Sequence, residues 1–305
     1  MSTKSKKITI NPLAITIIVL LAVYMLTMVI LMGWTLMTTL KSWEEYELYY
    51  DGGDTMGNML WFPKEGLAFD NFVTAYKYFY VDVTLASGDE RPVYIMEQFL
   101  NSILYSVGCA TSVTLASLVM GYATARFKYR FSEIIYAFVL ITMALPIVGS
   151  MPSEIAVAQS LKIFDTFPGI WIMRGSFLNT YFLIFYAQFK MIPKDYTEAA
   201  KIDGANPWLV MTQIIVPLAW GTVSTVFVLA FIGYWNDFQI PMVYLPTHHV
   251  AAYGMYAFQE SRIAEIAHTP LRFAGILLMA LPIIIFYAIF NKKLNVNLSV
   301  GGIKG

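Results

Sequence analysis

The chain has 305 residues, of which 58% are hydrophobic and only 13% charged, and its mean hydropathy of +0.60 lies outside the range of soluble globular domains. Its 20 Lys and Arg balance 20 Asp and Glu, so the net charge is zero and no basic tract points to nucleic acid. Cys109 stands alone inside an apolar run, which excludes an intrachain disulfide and a thiolate metal cluster.

Charges are segregated along the chain. Residues 1–12 form a short polar start with Lys4, Lys6 and Lys7, and a charge-free run then predicts a first crossing at 13–39. At about 1.5 Å per residue this helix reaches roughly 40 Å, so it tilts or protrudes. It is too long for a signal-peptide core and has no small-residue cleavage site after it, and is expected to be a retained anchor. Residues 40–98 are acid-rich and aromatic, as in Trp43, Glu44, Glu45 and Tyr46, and read as an extracytoplasmic cap.

Further apolar segments at 99–123, 134–156, 169–189, 214–234 and 273–290 predict five more crossings, each near the roughly 20 residues needed to span hydrocarbon. Pro146 and Pro152, with Gly149 between them, should bend the third. Arg174 near the end of the fourth can snorkel or pair with Glu154. The run 238–259 contains Pro241, Pro246, His248, His249 and Gly254, which suits an irregular or re-entrant segment better than a seventh crossing. Six crossings also gather Lys4, Arg126, Lys194 and Lys292 on one side, as the positive-inside rule requires. The expectation is therefore an all-α membrane protein with a core over 99–291, a tail at 292–305 and both termini cytoplasmic.

The connection between the fourth and fifth crossings, 193–217, is polar and carries helix signals. Asp195 followed by Glu198 makes a capping pattern, so a helix of about eight residues should begin near Tyr196. Gly204 supplies a left-handed cap, and Asn206-Pro207 is a second N-cap with proline at the first helical position. Ala199 and Ala200 keep the surface low. So short a helix needs packing to persist. Pro217 removes one hydrogen bond from the second helix.

The motif Glu198-Ala199-Ala200-Lys201-Ile202-Asp203-Gly204, followed after nine residues by Ile214-Ile215-Val216-Pro217, resembles the signature of permease subunits of binding-protein-dependent ABC importers. The departure is Val216, where leucine is usual. Phe99-Leu100-Asn101-Ser102, Phe164-Asp165-Thr166 and Phe231-Ile232-Gly233-Tyr234-Trp235-Asn236-Asp237 extend the similarity to carbohydrate permeases. The tail Ser299–Gly305 resembles the maltose-transporter type without a large inserted outer domain.

The resemblance implies a type I importer permease fold in a bacterial or archaeal plasma (inner) membrane. It implies four kinds of partner: a second homologous permease, two ATP-binding subunits, an extracytoplasmic solute-binding protein and a sugar. It further implies that Tyr196, Glu198, Ala199, Ala200, Asp203, Gly204 and Asn206 dock an ATPase subunit, which the tail contacts through Gly301, Gly302 and Lys304. The chain itself carries no Gly-x4-Gly-Lys-[Ser/Thr] loop, so ATP and Mg are expected on a partner, with no cofactor bound here.

Neutral sugars are held by aromatic faces and by amide or carboxylate hydrogen bonds. Asn179, Gln188, Tyr234, Trp235, Asn236, Asp237 and Gln239 are therefore candidates for a substrate path, although an interfacial aromatic belt explains the aromatic ones equally well. His248 and His249 are adjacent, not four apart, and no metal site is expected. No catalytic grouping is evident. Rival readings are a permease for another small solute, or a polytopic membrane enzyme or secondary carrier, which would need ionisable groups inside the crossings.

Overall fold

The computed structural model describes residues 12–46, 62–64, 66–85, 87–127, 130–145, 149–261, 263 and 266–300. The chain forms two compact units, Met1–Tyr78 with Ser261–Ala280, and Phe79–Glu260 with Leu281–Gly305. The tail residues Gly301, Gly302 and Lys304 lie outside the described residues.

The first unit is organised on α1 (Pro12–Thr39), which bares apolar side chains on every side, among them Leu20, Tyr24, Val29 and Met32. A 28-residue helix that is apolar all round and packs none of its hydrophobic window is matched to lipid, not to water. Its end is tied down by polar contacts: Asn71 at the start of α2 (Asp70–Tyr78) donates to the carbonyls of Thr39 and Lys41 at 2.7 and 2.8 Å. Trp34 meets Phe273 edge-on at 5.5 Å, and Trp43 covers His268 at 3.7 Å.

The second unit opens with an antiparallel hairpin, β1 (Tyr80–Thr84) and β2 (Glu90–Tyr94), in which Val83 and Val93 turn inward. This hairpin departs from the all-helical expectation. It interrupts a segment whose alternation, Tyr-Val-Asp-Val-Thr, has the period of a strand.

β2 runs directly into α3 (Ile95–Arg126), the 32-residue axis of the unit. Ser102, Ser106, Ala110, Thr114, Ser117 and Gly121 are buried along it, a small-residue stripe that lets neighbouring backbones approach. At Gly121 a Cβ would stand 2.8 Å from that of Phe185 on α7 (Thr180–Met191), so only glycine fits.

Two crossings are broken, one of them expected to bend. The segment 134–156 divides into α4 (Arg130–Ala144) and α5 (Met151–Ser160), because Gly149 is left-handed at φ +87° and Pro152 sits in the first turn of α5, where its missing N–H costs nothing. Pro146 lies outside the described residues. The segment 169–189 divides into α6 (Phe167–Arg174) and α7, because Asn179 caps α7 through its side chain, accepting from the N–H groups of Tyr181 and Phe182 at 2.8 and 3.3 Å.

The fifth segment also bends. α9 (Pro207–Leu218) contains a π-turn at Met211–Ile215, and beyond the buried Ala219 the chain turns by 79° into α10 (Trp220–Trp235). The irregular run 238–259 holds two short helices, α11 (Gln239–Tyr244) and α12 (Ala251–Glu260), before α13 (Thr269–Val300) closes the described chain. Among the described residues, α1 and α3 are long and apolar enough to cross a membrane, and the bent pair α9 and α10 makes a third candidate.

Candidate functional site

The polar element is α8 (Asp195–Ile202), eight residues long, followed by a sharp turn into α9. Its start corrects the expected capping pattern. Lys194 is the N-cap residue, no side chain caps the helix, and Asp195 already lies inside the first turn. Asp195 and Glu198 there still oppose the positive end of the helix dipole. The end follows the reading of Gly204. That residue is left-handed at φ +79°, and its N–H donates to the Lys201 carbonyl at 3.1 Å while the Ala205 N–H donates to that of Ala200 at 2.9 Å. This pair of bonds is a Schellman cap. Asn206 then caps α9, its Oδ1 accepting from the Leu209 N–H at 2.8 Å.

The two alanines part company. Ala200 is buried, with Phe189, Ile192, Val210, Met211 and Ile215 in the same core, and fastens α8 to the bundle. Ala199 is exposed, so close approach from outside is available over Ala199 only. Glu198, Asp203, Gly204 and Asn206 are exposed with it, and Tyr196 is 49% exposed.

Two large apolar side chains absent from the sequence-based site are the most solvent-bared here: Ile202 at 86% and Trp208 at 66% exposure. The signal was present, since isoleucine and tryptophan in a polar helix–turn–helix lack a local reason to face water. Their outward phase required knowing which face Ala200 buries.

Behind α8 lies a cleft of about 450 Å³, walled by Arg126, Lys190, Lys194, Thr197, Glu198 and Lys201 over a floor that includes Tyr122, Phe127, Phe189 and Val210. Arg126 donates from Nη2 to the Ile192 carbonyl at 2.9 Å, and Lys190 Nζ lies 4.5 Å from the centre of the Tyr186 ring. The buried Arg126 Nε and Thr197 Oγ1 have no hydrogen-bond partner among the described residues.

The other end of α3 is built differently. Asn101 donates to the His249 carbonyl at 3.0 Å, and Ser102 Oγ accepts from the Ala251 N–H at 2.7 Å. The pairing of Glu154 with Arg174 forms at 3.3 Å, and Tyr244 and Ser150 also donate to this carboxylate at 2.8 Å. Asp165, left-handed at φ +56°, accepts from Thr247 Oγ1 at 2.6 Å and faces His248 Nδ1 at 3.3 Å. Burial lowers the pKa of His249 from its ordinary 6.5 to about 4; Asp165 opposes the shift and His248 adds to it.

The candidate path residues do not form one group. Asn179 spends its amide oxygen on capping α7 and on Ser117 Oγ at 3.2 Å, and its Nδ2 on the Ser176 carbonyl at 2.6 Å. Asp237 accepts from the buried Tyr105 hydroxyl at 2.8 Å and caps α11 through the Gln239 and Ile240 N–H groups. Asn236 bonds back to the Ile232 carbonyl at 2.8 Å. Tyr234 packs edge-on against Tyr105 at 5.7 Å, and Trp235 lies against Phe231 at 5.6 Å. Gln188 is half-buried on α7, and Gln239 is exposed.

Lipid-matched helices, a small-residue axis and a polar helix–turn–helix fastened at one end define a helical membrane protein. The family described as the inner membrane component of binding-protein-dependent transport systems matches residues 114–298, and the chain belongs to that family. It is a permease subunit and not itself an enzyme.

Among its relatives, the diacetylchitobiose uptake system permease protein NgcG of Streptomyces coelicolor is 29% identical over 211 residues, covering 68% of this chain and 69% of that one. The trehalose transport system permease protein SugB of Mycobacterium tuberculosis is 28% identical over 235 residues, covering 73% and 83%. The fold is shared with a bacterial ABC transporter involved in the import of the acidic polysaccharide alginate, at a TM-score of 0.69 and 20% identity over 92% of this chain and 95% of that one.

Proposed function

We propose that the chain is a permease of an ATP-driven importer for sugars or oligosaccharides in a bacterial or archaeal plasma membrane. It crosses six times, with both ends in the cytoplasm, and lines the path together with a second permease. A solute-binding protein delivers cargo from outside, and two ATPase subunits, which hold ATP and Mg, engage it from within. The carbohydrate assignment is supported by the two relatives above, permeases for diacetylchitobiose uptake and trehalose transport.

The observation that carries the coupling role is the geometry of 193–217. A polar helix is anchored through Ala200 and presents Tyr196 and Ile202 outward, with Trp208 exposed at the start of the following helix α9. Large apolar and aromatic side chains held rigidly at a surface are the usual anchors of a protein interface. Glu198, Asp203 and Asn206 supply a polar rim around them. Gly301, Gly302 and Lys304 are assigned to a second contact with the ATPase. Asn179, Gln188, Tyr234, Trp235, Asn236, Asp237 and Gln239 are assigned to the path, with Trp235 and Gln239 the members least committed to holding the fold.

Affinity purification tests the assembly: an ATPase subunit and a second permease should accompany the wild-type chain. With Ile202→Ser and Trp208→Ala combined, the ATPase should be lost while the second permease remains. Glu198→Lys and Gly204→Val should each uncouple hydrolysis from uptake. Normal uptake in both of these single variants, with the ATPase retained by the double variant, would overturn the docking role.

A further inference from the structure

We infer that the cleft behind α8 is a phosphate-headgroup site that takes an anionic phospholipid. Four cations, Arg126, Lys190, Lys194 and Lys201, share its wall with a single carboxylate, Glu198. Among the described residues none of the four forms an ion pair, although Glu198 is close by. Like charges gathered around a concave site repel one another, and the low-dielectric wall strengthens that repulsion. An anion in the cleft removes it.

The floor decides what carries the anion. Ala125, Phe127 and Ala205 are only partly buried and leave ring and methyl surface open within the cleft, above the buried Phe189, Tyr122 and Val210. A free phosphate would neutralise the rim and leave that floor wet. A phosphodiester with glycerol and the first carbons of an acyl chain meets both walls, and about 450 Å³ is room for a headgroup of that size. Arg126 Nε and Thr197 Oγ1 add an energetic argument. Buried polar atoms without partners are costly, and a shift of either side chain toward a bound phosphate would satisfy it.

The position suits a lipid. Arg126 ends the apolar helix α3, Lys190 lies in the last turn of α7, and Lys194 and Lys201 follow within the connection assigned above to the cytoplasmic side, where anionic leaflet lipids attract basic clusters. The inference rests on that orientation. Occupancy would brace α8 along the face that carries Thr197 and Lys201.

Native mass spectrometry on the full chain in detergent, without any ATPase subunit, provides the test and keeps it separate from coupling. Mixed with equal phosphatidylglycerol and phosphatidylcholine, the wild type should retain phosphatidylglycerol by at least about tenfold. Lys190→Gln, Lys194→Gln and Lys201→Gln combined should abolish that preference, whereas Arg130→Gln, a cation at the start of α4 outside the cleft, should leave it intact. Glu198→Gln should strengthen retention. Circular dichroism checks that each variant folds.

Equal retention of the two lipids by the wild type, an unchanged preference in the triple variant, or the same loss from Arg130→Gln would overturn the site. Displacement of the lipid by millimolar inorganic phosphate or glycerol phosphate would overturn the lipid as occupant in favour of a soluble phosphate. If lipid selectivity holds while Glu198→Lys and Gly204→Val both leave uptake normal and the Ile202→Ser, Trp208→Ala double variant keeps the ATPase, the docking reading fails and this one stands.

Discussion

At the Ser102 end of α3, side-chain hydrogen bonds tie the loops to the helix, whereas at the Arg126 end, about 36 Å further along the helix, large apolar side chains stay bare. Even at the Ser102 end, Gln98 Oε1, Ser106 Oγ, Arg174 Nε and His249 Nδ1 are buried without a partner among the described residues. Glu154 gathers three donors, Asp165 holds Thr247, and the loop before α12 is pinned by Asn101 and Ser102. Apart from Ser150–Glu154, only four residues apart, these bonds join segments distant in sequence, so that end is held together from within. The other end keeps only the core it needs to hold α8 in place. Its Ile202 and Trp208 face solvent, and the cations around its cleft form no ion pair among the described residues. On the reading proposed above, a segment that meets a foreign surface leaves apolar side chains bare, whereas one that closes the bundle is laced by hydrogen bonds.

The sharpest way to break the contrast is at the small core beneath α8. Phe189 is fully buried, meets Tyr122 at 5.6 Å and stacks with Phe185 at 5.9 Å. Phe189→Ala should lower unfolding stability by about 3–5 kcal/mol, measured by denaturant titration in detergent. Little change would mean that α8 has no anchor of its own. Tyr244→Phe deletes one donor to Glu154 at the opposite end and should cost about 1.5–3 kcal/mol in the same titration, because the acceptor is a carboxylate.

A smaller effect separates cap from core: Asn206→Ala should cost about 1 kcal/mol, and Asn206→Asp should restore most of it.

The subtlest test is pH. In the unfolded chain His249 takes up a proton below about 6.5, but in the folded chain only near 4, so the unfolded state binds more protons between those values. Stability should be complete above pH 6.5 and decline as pH falls toward 4. His249→Phe should flatten that part of the profile, read from melting temperatures, while variants under α8 keep the slope.

How much of this was readable in advance depended on whether the signal was local. Gly204 and Asn206-Pro207 fix backbone at single positions, and each sits where its chemistry demands. The Asp195–Glu198 pattern misled because one residue decides between an N-cap and a first-turn acid, and Pro193 with Lys194 shifts the start. The bend before α5 was expected from Gly149 and its flanking prolines, though not as a full break, while the break before α7 was hidden by hydropathy, which averages over the ends of helices. Gly149, Gly175 and Asn179 marked them, but inside apolar runs such residues read equally as packing contacts. Which alanine faces inward is a question of helical phase. That phase is set by Phe189, Val210 and Ile215, residues brought together only by folding. The path candidates show the converse: polar type and position suggested cargo, while Asn179 and Asp237 turned out to be holding helix starts.

The 79° turn at Ala219 carries a mechanical corollary. α9 and α10 meet at nearly a right angle, so together they make a bell crank with a buried methyl group at its pivot. Twelve residues of α9 give an input arm of roughly 18 Å. Displacing its tip by about 3 Å would rotate the output arm by about 10°, if the corner stays rigid. Stiffness at that one small, buried residue would then decide how much of the displacement reaches α10.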